Sequence, residues 1–331
     1  MSATVYPGQR PFSFADLPAT LEAPSQPSGW IPCDDFDEND RPPWTFWVKW
    51  DANLRERGFA FDFEQVLDDE SFPVLAPPWH AFARRLSDNE SVLVKYTRKS
   101  KFPQEGHLVQ RLIAEPLRSH PHNRTPYIAV IDLGPEAWLL LSPLCGSISG
   151  DPFPIPKLTR AEDFLDFFEQ ITQAIHFLHS NGIAHCDLYY ANLLMQRPAR
   201  RPYQWYLMDF GSAVFYDPTD PLAVRPLIDG KHRTARRDSP DYQRGGTFDP
   251  FAFDVHCWGH WITILCKEVK FDFPALQELA QEMTHLDPHM RPSLDVVLKR
   301  LTGDISDFRT LLSDGVRWDI THWPRDTWSA V

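Results

Sequence analysis

The chain has 331 residues, of which 43% are hydrophobic and 24% charged, and its formal net charge is −12. That composition is ordinary for a globular protein, and the charge disfavours nonspecific attachment to nucleic acid or to an anionic membrane. Five scattered cysteines (Cys33, Cys145, Cys186, Cys257, Cys266) show no C-x-x-C or zinc spacing. No apolar h-region lies in Met1 to Thr20, and no run approaches the roughly 18 apolar residues of a membrane span. These features predict an intracellular protein, cytoplasmic or nuclear.

Residues 1–45 read as an extension. Prolines recur at Pro7, Pro11, Pro18, Pro24, Pro27 and Pro32, and an acidic run from Asp34 to Asp40 follows. The aromatic stretch Pro42 to Trp50 is too apolar for solvent; it is expected to pack on the strands that follow or to form the first of them. From Phe61 to Leu141 the pattern predicts short strands with one helix between them. That helix spans Pro103 to Glu115, with Leu108, Val109, Leu112 and Ile113 on one face. Ser91 to Tyr96 is a β-branched run that includes Lys95, and Ala137 to Leu144 predicts another strand. Thr159-Arg160-Ala161-Glu162 forms a capping box for a long amphipathic helix to Ser180, closed by Gly182. Beyond a proline-rich segment, a helix ending near Cys266 and a last one over Leu294 to Leu301 complete the pattern.

The stretch that carries chemistry is His185-Cys186-Asp187-Leu188-Tyr189-Tyr190-Ala191-Asn192, followed after a turn-rich break by Asp209-Phe210-Gly211. A His-x-Asp-x-x-x-x-Asn pattern arises by chance in a chain this long about once in a hundred, and the later Asp-Phe-Gly lowers that by about another two orders of magnitude.

These residues resemble the catalytic loop and Asp-Phe-Gly motif of the eukaryotic protein kinase family. Ser239-Pro240-Asp241 resembles the Ala-Pro-Glu of that family, Asp254 with Trp258-Gly259 its aspartate-bearing helix, and Arg291-Pro292 the arginine that pairs with the Ala-Pro-Glu carboxylate. The resemblance runs from about residue 46 to 305 and is closest to divergent kinase-like domains of fungi. It implies an α+β, bilobal fold: a small, mainly antiparallel β lobe with one helix over 46–142, a larger, mainly helical lobe over 143–310, and a tail over 311–331.

It also implies an enzyme that uses ATP and Mg²⁺ to phosphorylate a protein substrate. Phosphoryl transfer asks chiefly for positioning and charge neutralisation. Asp187 would accept the hydroxyl proton, and Asn192 and Asp209 would hold magnesium. Lys95, paired with Glu105, would reach the nucleotide phosphates; Glu115 is the alternative partner, although Pro116 follows it. No nucleic acid or membrane is implied as a partner.

Three departures from the family pattern stand out. No Gly-x-Gly-x-x-Gly precedes Lys95; Val74 to Phe82, with Pro77-Pro78, occupies that place and offers fewer backbone donors for phosphate. Cys186 replaces the arginine of His-Arg-Asp, and Tyr189 stands where serine/threonine kinases carry a lysine. A pseudokinase and a small-molecule phosphotransferase are therefore the alternative functions. Cys186 reads as a core thiol, with redox sensitivity the alternative. The basic run Lys231 to Arg237 reads as a solvated loop; the alternative is a phosphate or acidic-substrate contact with Thr234 or Ser239 as a modification site.

Overall fold

The computed structural model describes residues 44–62, 79–147, 161–196, 202–218, 226–229, 239–268 and 273–303. Helix α1 (Trp44–Glu56) opens this part, followed by β1 (Phe59–Phe61), β2 (His80–Arg85) and β3 (Ser91–Arg98). Helix α2 (Glu105–Ile113), β4 (Ala129–Asp132) and β5 (Ala137–Pro143) complete an antiparallel sheet in the order β1-β2-β3-β5-β4. Lys95 lies opposite His80 on β2 and Leu140 on β5.

Alternation along the strands sends side chains to two cores. Val92, Val94 and Tyr96 join Leu139 and Leu141 against Phe46, Trp47, Trp50 and Leu54 of α1. Trp138 and Leu140, on the other face of β5, join Leu108, Val109 and Leu112 of α2 in a core that continues into the helical part of the chain.

The aromatic stretch from Trp44 is thus a helix rather than a first strand. Phe46, Trp47, Trp50 and Leu54 recur at helical spacing and bury together, so tertiary packing overrides the strand preference of aromatic residues. Phe46 packs edge-on against Tyr96 at 4.9 Å, and Asp51 Oδ1 accepts from the Phe61 N–H at 3.1 Å. The sheet therefore carries two helices where one was expected, and an element boundary drawn at residue 46 falls inside α1.

The rest begins with β6 (Cys145–Ser147) and α3 (Ala161–Ser180). Short strands follow: β7 (Ile183–Ala184), β8 (Leu193–Gln196), β9 (Trp205–Leu207), β10 (Val214–Phe215) and β11 (Ile228–Asp229). Then come α4 (Pro240–Arg244), β12 (Thr247–Phe248), α5 (Pro250–Glu268), α6 (Pro274–Met283) and α7 (Leu294–Thr302). The capping residue Thr159 lies outside the described residues. Gly182 closes α3 at φ +74°, where a Cβ would stand 2.0 Å from the Tyr216 carbonyl. Trp258 Nε1 donates to Thr172 Oγ1 at 2.8 Å and ties α5 to α3.

The architecture is a mixed α/β structure with an antiparallel sheet and several helices, compatible with a kinase-like fold. No helix among the described residues is long and apolar enough to cross a membrane.

Candidate active site

The loop after β7 hangs from one buried carboxylate. Asp254, on α5, accepts from the backbone N–H of His185 at 2.7 Å and of Cys186 at 2.8 Å. His179 Nε2 reaches the same carboxylate at 2.9 Å, and Asp254 is 0% exposed. Cys186 takes a left-handed φ of +60°, uncommon for a residue with a side chain, and the two N–H bonds hold it there.

His185 bridges this loop to the next. Its Nδ1 accepts from the Asp187 N–H at 3.2 Å and its Nε2 lies 3.0 Å from the Met208 carbonyl. That pair of contacts selects the tautomer with the proton on Nε2. Asn192 Nδ2 donates to the Asp187 carbonyl at 2.9 Å and to Asp187 Oδ2 at 3.1 Å. The Met208 N–H donates to the Asn192 carbonyl at 3.0 Å. Asp187, Asn192 and Asp209 thus occupy adjoining turns cross-linked by hydrogen bonds.

Lys95 completes the cluster. Its Nζ lies 2.7 Å from Glu105 Oε1 and 3.0 Å from Asp209 Oδ1. The ten-residue separation suffices because the chain turns directly after β3, where the Phe102 N–H donates to the Arg98 carbonyl. Glu105 therefore opens α2 facing the sheet. Glu115 is exposed and accepts from Ser119 Oγ, so it is not the partner of Lys95.

A protein kinase domain family model matches residues 155–230, the stretch that contains the loop from His185 and the Asp-Phe-Gly. The chain is protein kinase-like.

Electrostatics in the kinase-like site follow from burial set against proximity. Burial opposes the charge on Lys95, yet the carboxylates of Asp209 and Glu105 outweigh it and hold the ammonium well above its ordinary pKa. Burial pushes Glu105 up, with Lys95 opposing and Asp209 reinforcing the rise. Burial also opposes ionisation of Asp209, but Lys95 and the Gly211 N–H prevail and keep it below the usual carboxylate range. The cluster is thus a charged lysine between two acids of unequal strength.

The arrangement fits a magnesium–nucleotide. Among the described residues no hydrogen bond reaches Asp209 Oδ2 or Asn192 Oδ1, and these two oxygens are free to bind a hard cation. Magnesium keeps waters and phosphate oxygens as its other ligands, so the absence of a group of three or more metal-binding side chains among the described residues is compatible with it.

Sequence reasoning missed Tyr127. Its Oη accepts from the Asp209 N–H at 3.3 Å, helping hold Asp209 at its left-handed φ of +65°. Burial pushes its phenol well up. Its signal was faint: a tyrosine heading the apolar run Tyr127 to Ile131.

The departures have structural counterparts. Cys186 is fully buried, its Sγ 3.8 Å from the Ala184 carbonyl. Tyr189 packs on Tyr190 at 4.1 Å and on Trp261 at 6.1 Å. Ser239 is 1% exposed and its Oγ accepts from the Tyr242 N–H at 3.2 Å, so it serves as a helix cap rather than an accessible modification site. Thr234, the basic run around it and Val74 to Pro78 lie outside the described residues.

Proposed function

We propose that the protein is an ATP- and Mg²⁺-dependent protein kinase with a two-lobed catalytic domain, transferring the γ-phosphate to a hydroxyl of a protein substrate. The observation that carries this reading is Lys95 clasped between Glu105 and Asp209, with Asp187 and Asn192 bonded to each other on the adjoining loop. In the proposed mechanism Lys95 binds the α/β-phosphates and Glu105 holds Lys95 in position. Asp209 and Asn192 would supply oxygens to hold magnesium, whose charge would offset that of the phosphates. Asp187 orients the acceptor hydroxyl and takes its proton.

A pseudokinase is the second reading, favoured by Tyr189. Its ring packs into an aromatic group where serine/threonine kinases place a cation, removing one electrostatic contribution to transfer. Labelled ATP–Mg²⁺ incubated with the protein and a generic substrate mixture separates the two. An active kinase incorporates phosphate, and Asp187→Asn reduces the rate by about 10²–10⁴-fold. ATP binding without Asp187-dependent incorporation would leave the pseudokinase.

A further inference from the structure

Lys95 and Thr97 stand two residues apart on β3 and so share one face of the strand. They lie opposite Leu140 and Trp138 of β5, which belong to the core shared with α2. The Trp138 ring lies against Gly106, where a Cβ would collide with it. The first turn of α2, with Glu105 beside Gly106, therefore sits directly over this part of the strand.

The Glu105 carboxylate is buried there and only half satisfied. Its Oε1 takes Lys95 Nζ at 2.7 Å, while its Oε2 is buried without an aligned hydrogen bond among the described residues. Thr97 is 1% exposed, and its Oγ1 is likewise buried without an aligned partner there. A buried carboxylate oxygen and a buried hydroxyl are each costly when left alone. These two groups are close enough to act on each other: burial raises the Glu105 pKa, and the Thr97 hydroxyl joins Lys95 in opposing that rise. A hydroxyl hydrogen rotates to suit its acceptor, and bonds from a hydroxyl to a carboxylate are among the strong ones.

We propose that Thr97 is a positioning residue for Lys95: its hydroxyl donates to Glu105 Oε2 and fixes the carboxylate so that Oε1 stays on Lys95 Nζ. One strand then grips both oxygens of one carboxylate, and the opening turn of α2 docks on β3 at two points. Held at Oε1 alone, a glutamate turns about its terminal torsion, whose preferences are broad, and releases the lysine. The contact stands on this packing; its bearing on phosphate transfer rests on the proposed kinase activity.

Thr97→Val decides by its sign. Valine is β-branched and suits a strand as threonine does, so the substitution chiefly removes the hydroxyl. If that hydroxyl bonds Glu105, its loss strands Oε2, and the unfolding constant from urea titration rises about tenfold. If it bonds nothing, valine relieves a buried polar group and the constant falls or stays the same, which would overturn the proposal. Glu105→Met removes the acceptor, so Thr97→Val is expected to lose its effect in that background. An equal rise in both backgrounds would place the bond elsewhere and overturn the proposal too. Should Glu105→Met fail to fold, the sign in the parent protein still decides.

For transfer, Thr97→Val is expected to raise KM for ATP about tenfold with a smaller change in kcat, because Lys95 binds the α/β-phosphates. Thr97→Ser keeps the hydroxyl and should restore the parent KM even though it loses a methyl from the core. A KM unchanged by valine, or not restored by serine, would overturn the positioning role. Coupling between Thr97 and Glu105 in a protein that transfers no phosphate would uphold the contact and count against the kinase activity instead.

Discussion

Arg291 and Asp241, fifty positions apart in the chain, meet at 2.7 Å with both side chains 1% exposed. Arg291 also donates to the carbonyls of His285 at 2.9 Å and Ala252 at 2.9 Å, so the guanidinium ties α4 to α5 and to the turn ahead of α7. The Asp241 oxygens receive no aligned hydrogen bond among the described residues, so the ion pair itself must compensate their desolvation. Arg291→Ala is therefore expected to destabilise the protein by about 3–5 kcal/mol, the usual cost of stranding a buried charge. Pairing Arg291→Met with Asp241→Leu should recover most of that loss. Denaturant unfolding of the two single variants and the double variant measures the coupling; additive losses would show that the pair does not act as a unit.

Asp254 sustains three hydrogen bonds without solvent. Asp254→Ala leaves the His185 and Cys186 N–H groups buried and unpaired, at about 1–3 kcal/mol each. The strained φ at Cys186 then has nothing to enforce it. Faster amide exchange at His185 and Cys186 is expected even where the variant remains folded, together with loss of the proposed phosphate transfer. Unchanged exchange would mean that the loop is held by other contacts.

Much of this arrangement was legible in the sequence, for a physical reason. A hydrogen-bonded loop needs particular side chains at fixed offsets, so His185, Asp187 and Asn192 betray themselves by spacing, and Arg291-Pro292 by its neighbour. Lys95 and Glu105 were legible only through the resemblance: a lysine in a β-branched strand is by itself more often solvated, and the kinase pattern singles it out ahead of the loop from His185 and pairs it with the acid in the first turns of α2. Tyr127 was not, because its role depends on tertiary placement alone. Nor was α1: Trp44 to Trp50 satisfies strand propensity locally, and only the far surface of Val94, Tyr96 and Leu139 decides for a helix.

Gly106 poses a contest that magnitudes decide. Alanine in the second position of α2 gains about 1 kcal/mol of helix propensity over glycine. A Cβ there, however, would stand 2.2 Å from the Trp138 ring, and Trp138 is packed at 1% exposure. Overpacking of this kind costs about 1–3 kcal/mol and shifts backbone. Gly106→Ala should therefore destabilise despite its propensity. The shift displaces Glu105, one residue away, from Lys95, so the proposed transfer activity should fall by at least about tenfold. A variant more stable than the parent, with full activity, would show that α2 moves without cost.

The buried thiols make alkaline stability testable. Burial pushes Cys266 from an ordinary 9.0 up to about 12, and burial followed by Asp254 pushes Cys186 well up. As pH rises above 9.0 the unfolded chain loses these protons before the folded one does. Stability is therefore retained below that pH and falls above it, at up to about 1.4 kcal/mol per pH unit for each thiol. Cys266→Ala should make the decline between pH 9 and 10 shallower, even though the lost sulfur lowers stability at neutral pH. Urea unfolding across that range provides the comparison, and an identical slope in the variant would place the Cys266 proton outside the balance. At pH 8 both thiols should resist alkylation in the folded protein and react once it unfolds, which argues against Cys186 as a redox switch beside Asp187.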